Sequence, residues 1–563
     1  MVCVMIEVLS TNIVSPIGST AYENYKVIKA GLSSVTKHDD QHILPETICA
    51  SLFKEASLNK YLHPGLTKFE SLAYYSISEA LQRVRIESGA RTILILASTK
   101  GNIENLRSNG LRVNLAESAA ALAKAIPVVT DYVVVCNACI SGASAQLLAL
   151  RLIESDCYDY AIACGADVID KFIASGFSSL KALSSEPCRP FDMERNGLNL
   201  GEAAATIVYG KGGNSRELSW HLQKGAIRND AHHISNPSSN AEGCYRAIKS
   251  VLANDILPAC VSVHGTATLF NDQMEAVALH RAGLSDIPVL ALKGYYGHTL
   301  GATGVLETIL SMYCVDDKET VPAVGYSEQG VSHPLNISAS SIPIVGDDFL
   351  KIISGFGGCN AALYYLKESS KPTEVQEVPR LYTTHRVTMT SDEVILDNKS
   401  IEVEDSGKSM ITALYKKYIN DYPRFYKMDM LSRVALIASE LLIQAENSRV
   451  CDTEDRAIIF FNHSSSIVAD CAYHATLTED NYYPSPSVFI YTLPNIAAGE
   501  IAIRNNYYGE TSFYILKEKS ERLMNDILSS TFMDKGIRSA ICGWINCDSE
   551  DHFEVELFIK ERN

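Results

Sequence analysis

Positive charge is in short supply in this chain: 49 lysines and arginines stand against 66 aspartates and glutamates, a net charge of −17. That deficit argues against general nucleic-acid binding, which needs a basic surface. It also means that an acidic protein partner would have to be held by a local basic patch. No apolar run reaches the ~18–20 residues needed to cross a bilayer, so no membrane span is expected. The start, Met1-Val-Cys-Val-Met-Ile-Glu7, lacks a basic n-region and a cleavage site, and is expected to form a buried strand rather than a signal peptide. Cysteine is plentiful, at 15, but lacks pattern. Its single C-x-x-C spacing, Cys136-Asn-Ala-Cys139, has no second pair or Cys/His cluster beside it, which argues against a four-ligand metal site. Scattered thiols in apolar runs suit a reducing cytoplasm.

What is present is ordinary for a packed protein: 47% hydrophobic and 20% charged residues, over a length that implies two or three compact units. Residues 1–212 alternate apolar β-rich runs, Ile93–Ala97 and Tyr132–Cys136, with helix formers such as Leu115–Ala125, an α/β pattern. Residues 213–367 repeat it, with strands at Val261–His264 and Pro288–Leu292 and a closing strand at Ala361–Leu366. Residues 368–405 are polar and proline-containing at their start and read as a linker. Residues 406–563 read as a third α/β unit, with a helix at Leu431–Gln444 and strands at Ala457–Phe461 and Val488–Tyr491. This third unit echoes the first twice in the same order: 457–466 parallels 92–101, and 488–499 parallels 133–142.

The chemistry concentrates at strand ends. Cys139 lies in the turn between strand 133–136 and a helix expected over 141–154, where unpaired N–H groups and the helix dipole favour an anion. That placement predicts a lowered thiol pKa. Cys136 lies inside the strand and reads as a core residue. A redox C-x-x-C usually puts its first cysteine at the helix start, which is not the arrangement here. His264-Gly-Thr begins where a strand ends, and Gly297-His298 follows a strand end and a glycine-rich turn, both pointing into the crevice where α/β proteins bind ligands. A helix-start thiol with two strand-end imidazoles suits acyl transfer: the thiolate accepts the acyl group and two N–H donors stabilise an enolate or oxyanion. Lys293 could tune that field or pair with a carboxylate such as Glu307, and the two roles are compatible. The turn Gly355-Phe-Gly-Gly358 allows an N–H to face the site, with Phe356 as a gate over the thiol.

At these residues the sequence resembles the β-ketoacyl-acyl carrier protein synthases. The likeness covers residues 1–367, through Val14-Ser-Pro-Ile-Gly18, Asn137-Ala-Cys-Ile-Ser-Gly142, Arg189–Gly197 with Gly201-Glu202, the His264 and His298 motifs and Gly355–Gly358. It implies an acyltransferase with a thiolase-like layered α/β/α/β/α fold of two related halves, residues 406–563 being a non-catalytic copy of the N-terminal half. It implies catalytic Cys139, His264 and His298, supporting Lys293 and Glu307, and an oxyanion hole from the N–H groups of Cys139 and Phe356. It implies decarboxylative condensation of malonyl and acyl thioesters on acyl carrier protein phosphopantetheine, with no cofactor or metal, in a cytoplasmic homodimer or synthase/partner heterodimer. Fatty acid, polyketide or aryl-polyene (flexirubin-like) products would follow. The alternatives are a thiolase-type acyltransferase or a non-catalytic chain-length or scaffold subunit. Cys359 departs from the family's usual threonine, Ser354 from a bulky aromatic, and Ala203–Ala205 from a glycine-containing run.

Overall fold

The computed structural model describes residues 6–562 except 41, 107–111, 213–217, 253–255, 370–377, 447–455 and 479–480. Three sheets repeat one five-stranded topology, the third extended by two short strands, Val394–Leu396 and Lys399–Ile401. The first unit holds β1 (Ile6–Val14), β2 (Thr92–Ala97), α1 (Leu115–Ala125), β3 (Asp131–Val135), α2 (Ser141–Glu154), β4 (Tyr160–Asp167) and β5 (Ala203–Lys211). Its strand order is β3-β2-β4-β5-β1, with the first two pairings parallel and the last two antiparallel. The second unit holds β6 (Leu218–Asn229), β7 (Val261–Ser262), α3 (Leu269–Arg281), β8 (Val289–Leu290), α4 (Thr303–Asp316), β9 (Asp348–Gly355) and β10 (Cys359–Ser369). It repeats the order as β8-β7-β9-β10-β6 with the same senses.

These two sheets enclose α2 and α4. All 14 residues of α2 are buried, because the helix has a sheet on either side and α4 along its flank. The two helices cross where only glycine fits: a Cβ on Gly304 would lie 2.5 Å from the Ala143 nitrogen, and one on Gly142 2.7 Å from the Gly301 oxygen. Lys68–Leu81 covers the outside of the first sheet and Glu242–Val251 the outside of the second. The result is the five-layered α/β arrangement that the motifs imply.

The third unit begins earlier than its composition suggests. Residues 381–401, expected as linker, include β11 (Leu381–Met389), which pairs with a strand some 170 residues later. Its second side is paired only at Val387–Met389, with Val394–Leu396, and most of its side chains are exposed or half-buried, so its polarity imitates a linker. The unit continues through α5 (Met430–Ala445), β12 (Arg456–Asn462), α6 (Pro486–Tyr491), α7 (Ile496–Asn505), β13 (Thr511–Ile515), α8 (Glu521–Thr531), β14 (Ser539–Ser549) and β15 (His552–Arg562). Its order is β13-β12-β14-β15-β11, with the same senses again.

The first echo is therefore real: β12 occupies the place of β2. The second is not. Val488–Tyr491, expected as a strand, lies in α6, where Pro486 at the helix start has the φ a first turn needs. The counterpart of β3 is β13. These two strands also join the units edge to edge, Val135 opposite Tyr514 and Val134 opposite Ile515, in an antiparallel pair. Cys136 N–H extends the ladder to Phe513 O at 3.0 Å. The first and third sheets thus meet about an approximate twofold axis.

Candidate active site

Past β3 the chain turns through Asn137 and a short 3-10 helix, Ala138–Ile140, before α2 begins. Ala138 has φ of +48°, a left-handed conformation that costs an L-residue about 1–2 kcal/mol. Asn137 offsets it: its N–H donates to Ser141 Oγ (2.8 Å), its Nδ2 to Ser144 Oγ (3.1 Å), and its Oδ1 accepts from Phe513 N–H (2.7 Å). The turn is thus pinned both by its own helix and by the third unit. Cys139, at its apex, is 8% exposed.

His264 follows β7 and His298 follows the loop after β8. Their rings lie 5.1 Å apart at 83°. Cys139 Sγ and a ring nitrogen of each histidine all lie within 4.8 Å of one another, so two histidines more than a hundred residues beyond the cysteine converge on it. The hydrogen bonds fix both tautomers. Leu300 N–H donates to His298 Nδ1 at 3.1 Å, and the Lys293 ammonium lies 3.1 Å from His264 Nδ1. Both Nδ1 atoms are therefore acceptors, and both Nε2 atoms carry hydrogen. His298 Nε2 is buried without a partner, as a donor reserved for substrate would be.

Behind the imidazoles lies a buried charge network that the sequence reading recovered only in part. Lys293 donates to Glu307 Oε1 at 2.9 Å and to the His264 carbonyl. Glu307 also takes Lys351, at 2.5 Å, and Lys351 reaches the Val263 carbonyl at 3.1 Å. Glu275 accepts the His264 and Gly265 N–H groups at 2.5 and 2.8 Å. Lys351 and Glu275 went unread, although Lys351 is a lone charge in the apolar run Leu350-Lys-Ile-Ile353, and an isolated buried lysine signals a partner.

Burial dominates the ionisation of the site. It pushes the Cys139 thiol up to about 12, while the Lys293 charge pulls the other way. The lowered pKa expected from the helix start is thus overturned: desolvation of the thiolate outweighs the field at that position. Burial, reinforced by Lys293, holds both imidazoles well below the ordinary histidine range, so both are neutral at pH 7. The unfolded chain takes up protons near pH ~6.5 that the fold refuses. This contribution to stability is full above that pH and is lost as pH falls below it. Wild-type protein is expected to melt at a lower temperature at about pH 5.5 than at about pH 7.5. His298→Gln should narrow that gap; equal gaps in thermal unfolding would remove His298 from the account.

Cys139, His264 and His298 line a cavity of about 330 Å³ with Thr266, Thr268 and Asn271. A void of about 20 Å³ adjoins the other side of the thiol, lined by Phe177, Leu300, Phe356, Phe489 and Leu493. Phe356 borders both. The last two of those lining residues belong to the third unit. The third unit has no thiol of its own at the matching point: four residues past β13 stands Lys519, paired with Glu556 at 2.8 Å.

Residues 117–210 match the family described as beta-ketoacyl synthase, N-terminal domain, and residues 221–327 its C-terminal domain. The chain is 24% identical over 420 residues to a putative mitochondrial 3-oxoacyl-[acyl-carrier-protein] synthase of Schizosaccharomyces pombe, covering 63% of this chain and 97% of that one. It is 30% identical over 259 residues to 3-oxoacyl-[acyl-carrier-protein] synthase 2 of Rhizobium meliloti, spanning 41% of this chain and 59% of that relative. Among solved structures, a PfaC keto synthase–chain length factor matches 99% of this chain and 78% of its own with a TM-score of 0.75 at 13% identity. The ketosynthase ApeO in complex with its chain length factor ApeC, from Xenorhabdus doucetiae, matches 64% of this chain and 98% of its own with a TM-score of 0.55 at 21% identity. At such identities the structural matches speak for the fold.

Proposed function

Through residues 117–327 the chain belongs to the β-ketoacyl synthase family, and on that premise we propose that it joins a malonyl unit to an acyl group held on Cys139. The observation that carries this reading is the pair of neutral imidazoles, both with Nδ1 occupied and Nε2–H available, beside a buried thiol. Cys139 attacks an acyl thioester, and the carrier thiol leaves. The malonyl thioester then loses CO2, and the electrons of the broken C–C bond form an enolate. The two Nε2–H groups stabilise that enolate oxygen. The enolate carbon attacks the acyl carbonyl, whose oxygen is received by the N–H groups of Cys139 and Phe356. Cys139 thiolate leaves and takes up a proton, and a 3-oxoacyl thioester departs. No step calls for a metal or an organic cofactor.

Lys293 and Glu307 hold His264 in its donor tautomer. Thr266, Thr268 and Asn271 offer hydroxyl and amide partners for the amide-bearing phosphopantetheine arm of an acyl carrier protein. The products are fatty-acid or polyketide chains, and the free thiols among the described cysteines support a reducing compartment such as the cytoplasm. Among the described residues no helix is long and apolar enough to cross a membrane.

The third unit takes the place of a partner subunit within the same chain. Its β13 occupies the β3 edge, so a second copy cannot pair there, and Phe489 and Leu493 close the inner void. Phe489 packs so tightly on Gly176 that a Cβ there would come within 2.1 Å of the ring. Phe489→Ala is expected to admit acyl groups several carbons longer, read as the mass of the acyl group on Cys139 and of the product; an unchanged length distribution would place the limit elsewhere. The reaction itself is tested by donor choice. Malonyl carrier should yield 3-oxoacyl product and CO2 in equal amounts, whereas a thiolase would accept acetyl donor equally well and release none.

A further inference from the structure

The turn that carries Phe356 is held by several hydrogen bonds, among them Asp230 N–H to the Gly358 carbonyl at 2.7 Å. Gly357 N–H donates to the Ile234 carbonyl at 2.7 Å, and the Gly357 carbonyl accepts from Asn229 Nδ2 at 2.8 Å. Both partners belong to the second unit. The Phe356 carbonyl accepts from Cys359 Sγ at 3.2 Å and from one donor outside the first two units: Asn495 Nδ2, 139 residues away at the start of α7, at 2.8 Å. The contact is close. A Cβ on Gly357 would lie 2.7 Å from Asn495 Nδ2, and one on Gly499 of α7 2.7 Å from the Gly357 oxygen.

Asn495 is 3% exposed, yet its Oδ1 has no hydrogen-bond partner. A buried acceptor left unpaired is unfavourable, and native structures that keep one usually have a use for it. The Phe356 ring borders both the outer cavity and the inner void and stacks on Phe177, centroids 6.2 Å apart at 23°. Gly357 and Gly358, at φ of +89° and +73°, give the turn the freedom to rearrange.

We propose that Asn495 is a positioning residue through which the third unit latches the Phe356 turn. With Nδ2 on the Phe356 carbonyl, the ring is closed over the inner void and the Phe356 N–H is aimed at the reacting carbonyl. When the ring swings to admit an acyl chain, Oδ1 accepts an N–H of the displaced turn and holds the open form. The unit without a thiol thereby governs access to the thiol of its neighbour. This rests on the reading of Cys139 as the acyl acceptor.

The test compares wild type with Asn495→Ala and with Asn495→Asp, which keeps the size of the side chain but cannot donate. Three quantities are read: kcat and KM for condensation, acyl-enzyme formation by intact mass, and the ratio of Cys139 alkylation rates by a bulky N-benzylmaleimide and by small iodoacetamide. For both variants kcat should fall by about tenfold or more, since an oxyanion donor loses its aim, with KM for the malonyl donor changed less than about twofold. The bulky-to-small ratio should rise by about threefold or more as the closed form is lost. A folded variant with an unmoved ratio, even one with a lower melting temperature, would overturn the latch and leave Asn495 a merely structural contact. Should the buried charge of Asn495→Asp prevent folding, Asn495→Ala decides alone. If wild type itself acquires no acyl group on Cys139, the functional reading fails; if wild type is acylated and the ratio does not move, only the latch fails.

Discussion

Cys139→Ala is expected to leave no acyl group on the protein and to lower condensation by about four orders of magnitude or more, as loss of a nucleophile that works as a unit with its partners does. Release of CO2 from malonyl thioester should persist, because the donors that stabilise the enolate are the two imidazoles and not the thiol. The neighbouring cysteines cannot substitute. Cys136 lies in the strand and its Sγ points to the Thr99 carbonyl at 3.5 Å. Cys359 Sγ donates to the Phe356 carbonyl at 3.2 Å, and burial raises its pKa as well. Intact-mass measurement after exposure to acyl thioester, together with CO2 release, checks both halves of the expectation. An acyl group found on another cysteine of the variant would sink the assignment of Cys139.

The convergence of Cys139, His264 and His298 was legible because each sits in a local pattern. Cys139 is marked by its strand-to-helix turn, and His264 and His298 by strand ends with glycine beside them. Lys351 and Asn495 were not legible in that way, since their roles arise from contacts with residues far off in the chain. The same contrast runs through the fold. Ala457–Phe461 is a continuous buried strand with the character of β2, and its parallel to 92–96 could be read directly. Val488–Tyr491 has equally β-prone residues, but Pro486 and the packing of Phe489 onto Phe172 and Phe177 make it helical. Leu381–Met389 failed in the opposite sense: its strand character depends on β15, which the local composition does not reveal. Tertiary context overrode propensity at both places.

The thiol's ionisation differs from expectation because two local effects compete: a helix start favours the thiolate, and burial disfavours it more strongly.

Glu510→Ala is expected to destabilise the protein by about 3–5 kcal/mol, the usual consequence of removing one partner from a buried ion pair. Glu510 stands immediately before β13. Its carboxylate receives Arg151 of α2 through two bonds, 3.1 and 2.8 Å, and the two side chains are 0% and 5% exposed. Ser512 Oγ also donates to it at 2.9 Å. Arg151 lies in the last turn of the helix whose first turn follows Cys139, so this pair ties the nucleophile's helix to the third unit. Without Glu510 the guanidinium is left charged and buried without its hydrogen-bonded carboxylate, and Asp534, which acts on it only at a distance, does not replace it. Both the melting temperature and condensation should therefore fall, and they should fall together. Arg151→Met combined with Glu510→Met removes both charges and fills their space, and should recover most of the lost stability, because such pairs are often replaced by apolar residues at little net cost. Thermal unfolding of the two single variants and the double variant measures the coupling. If Glu510→Ala costs less than about 1 kcal/mol, as an exposed pair would, or if the double variant is no more stable than the single ones, the third unit is not held to the nucleophile's helix by this pair.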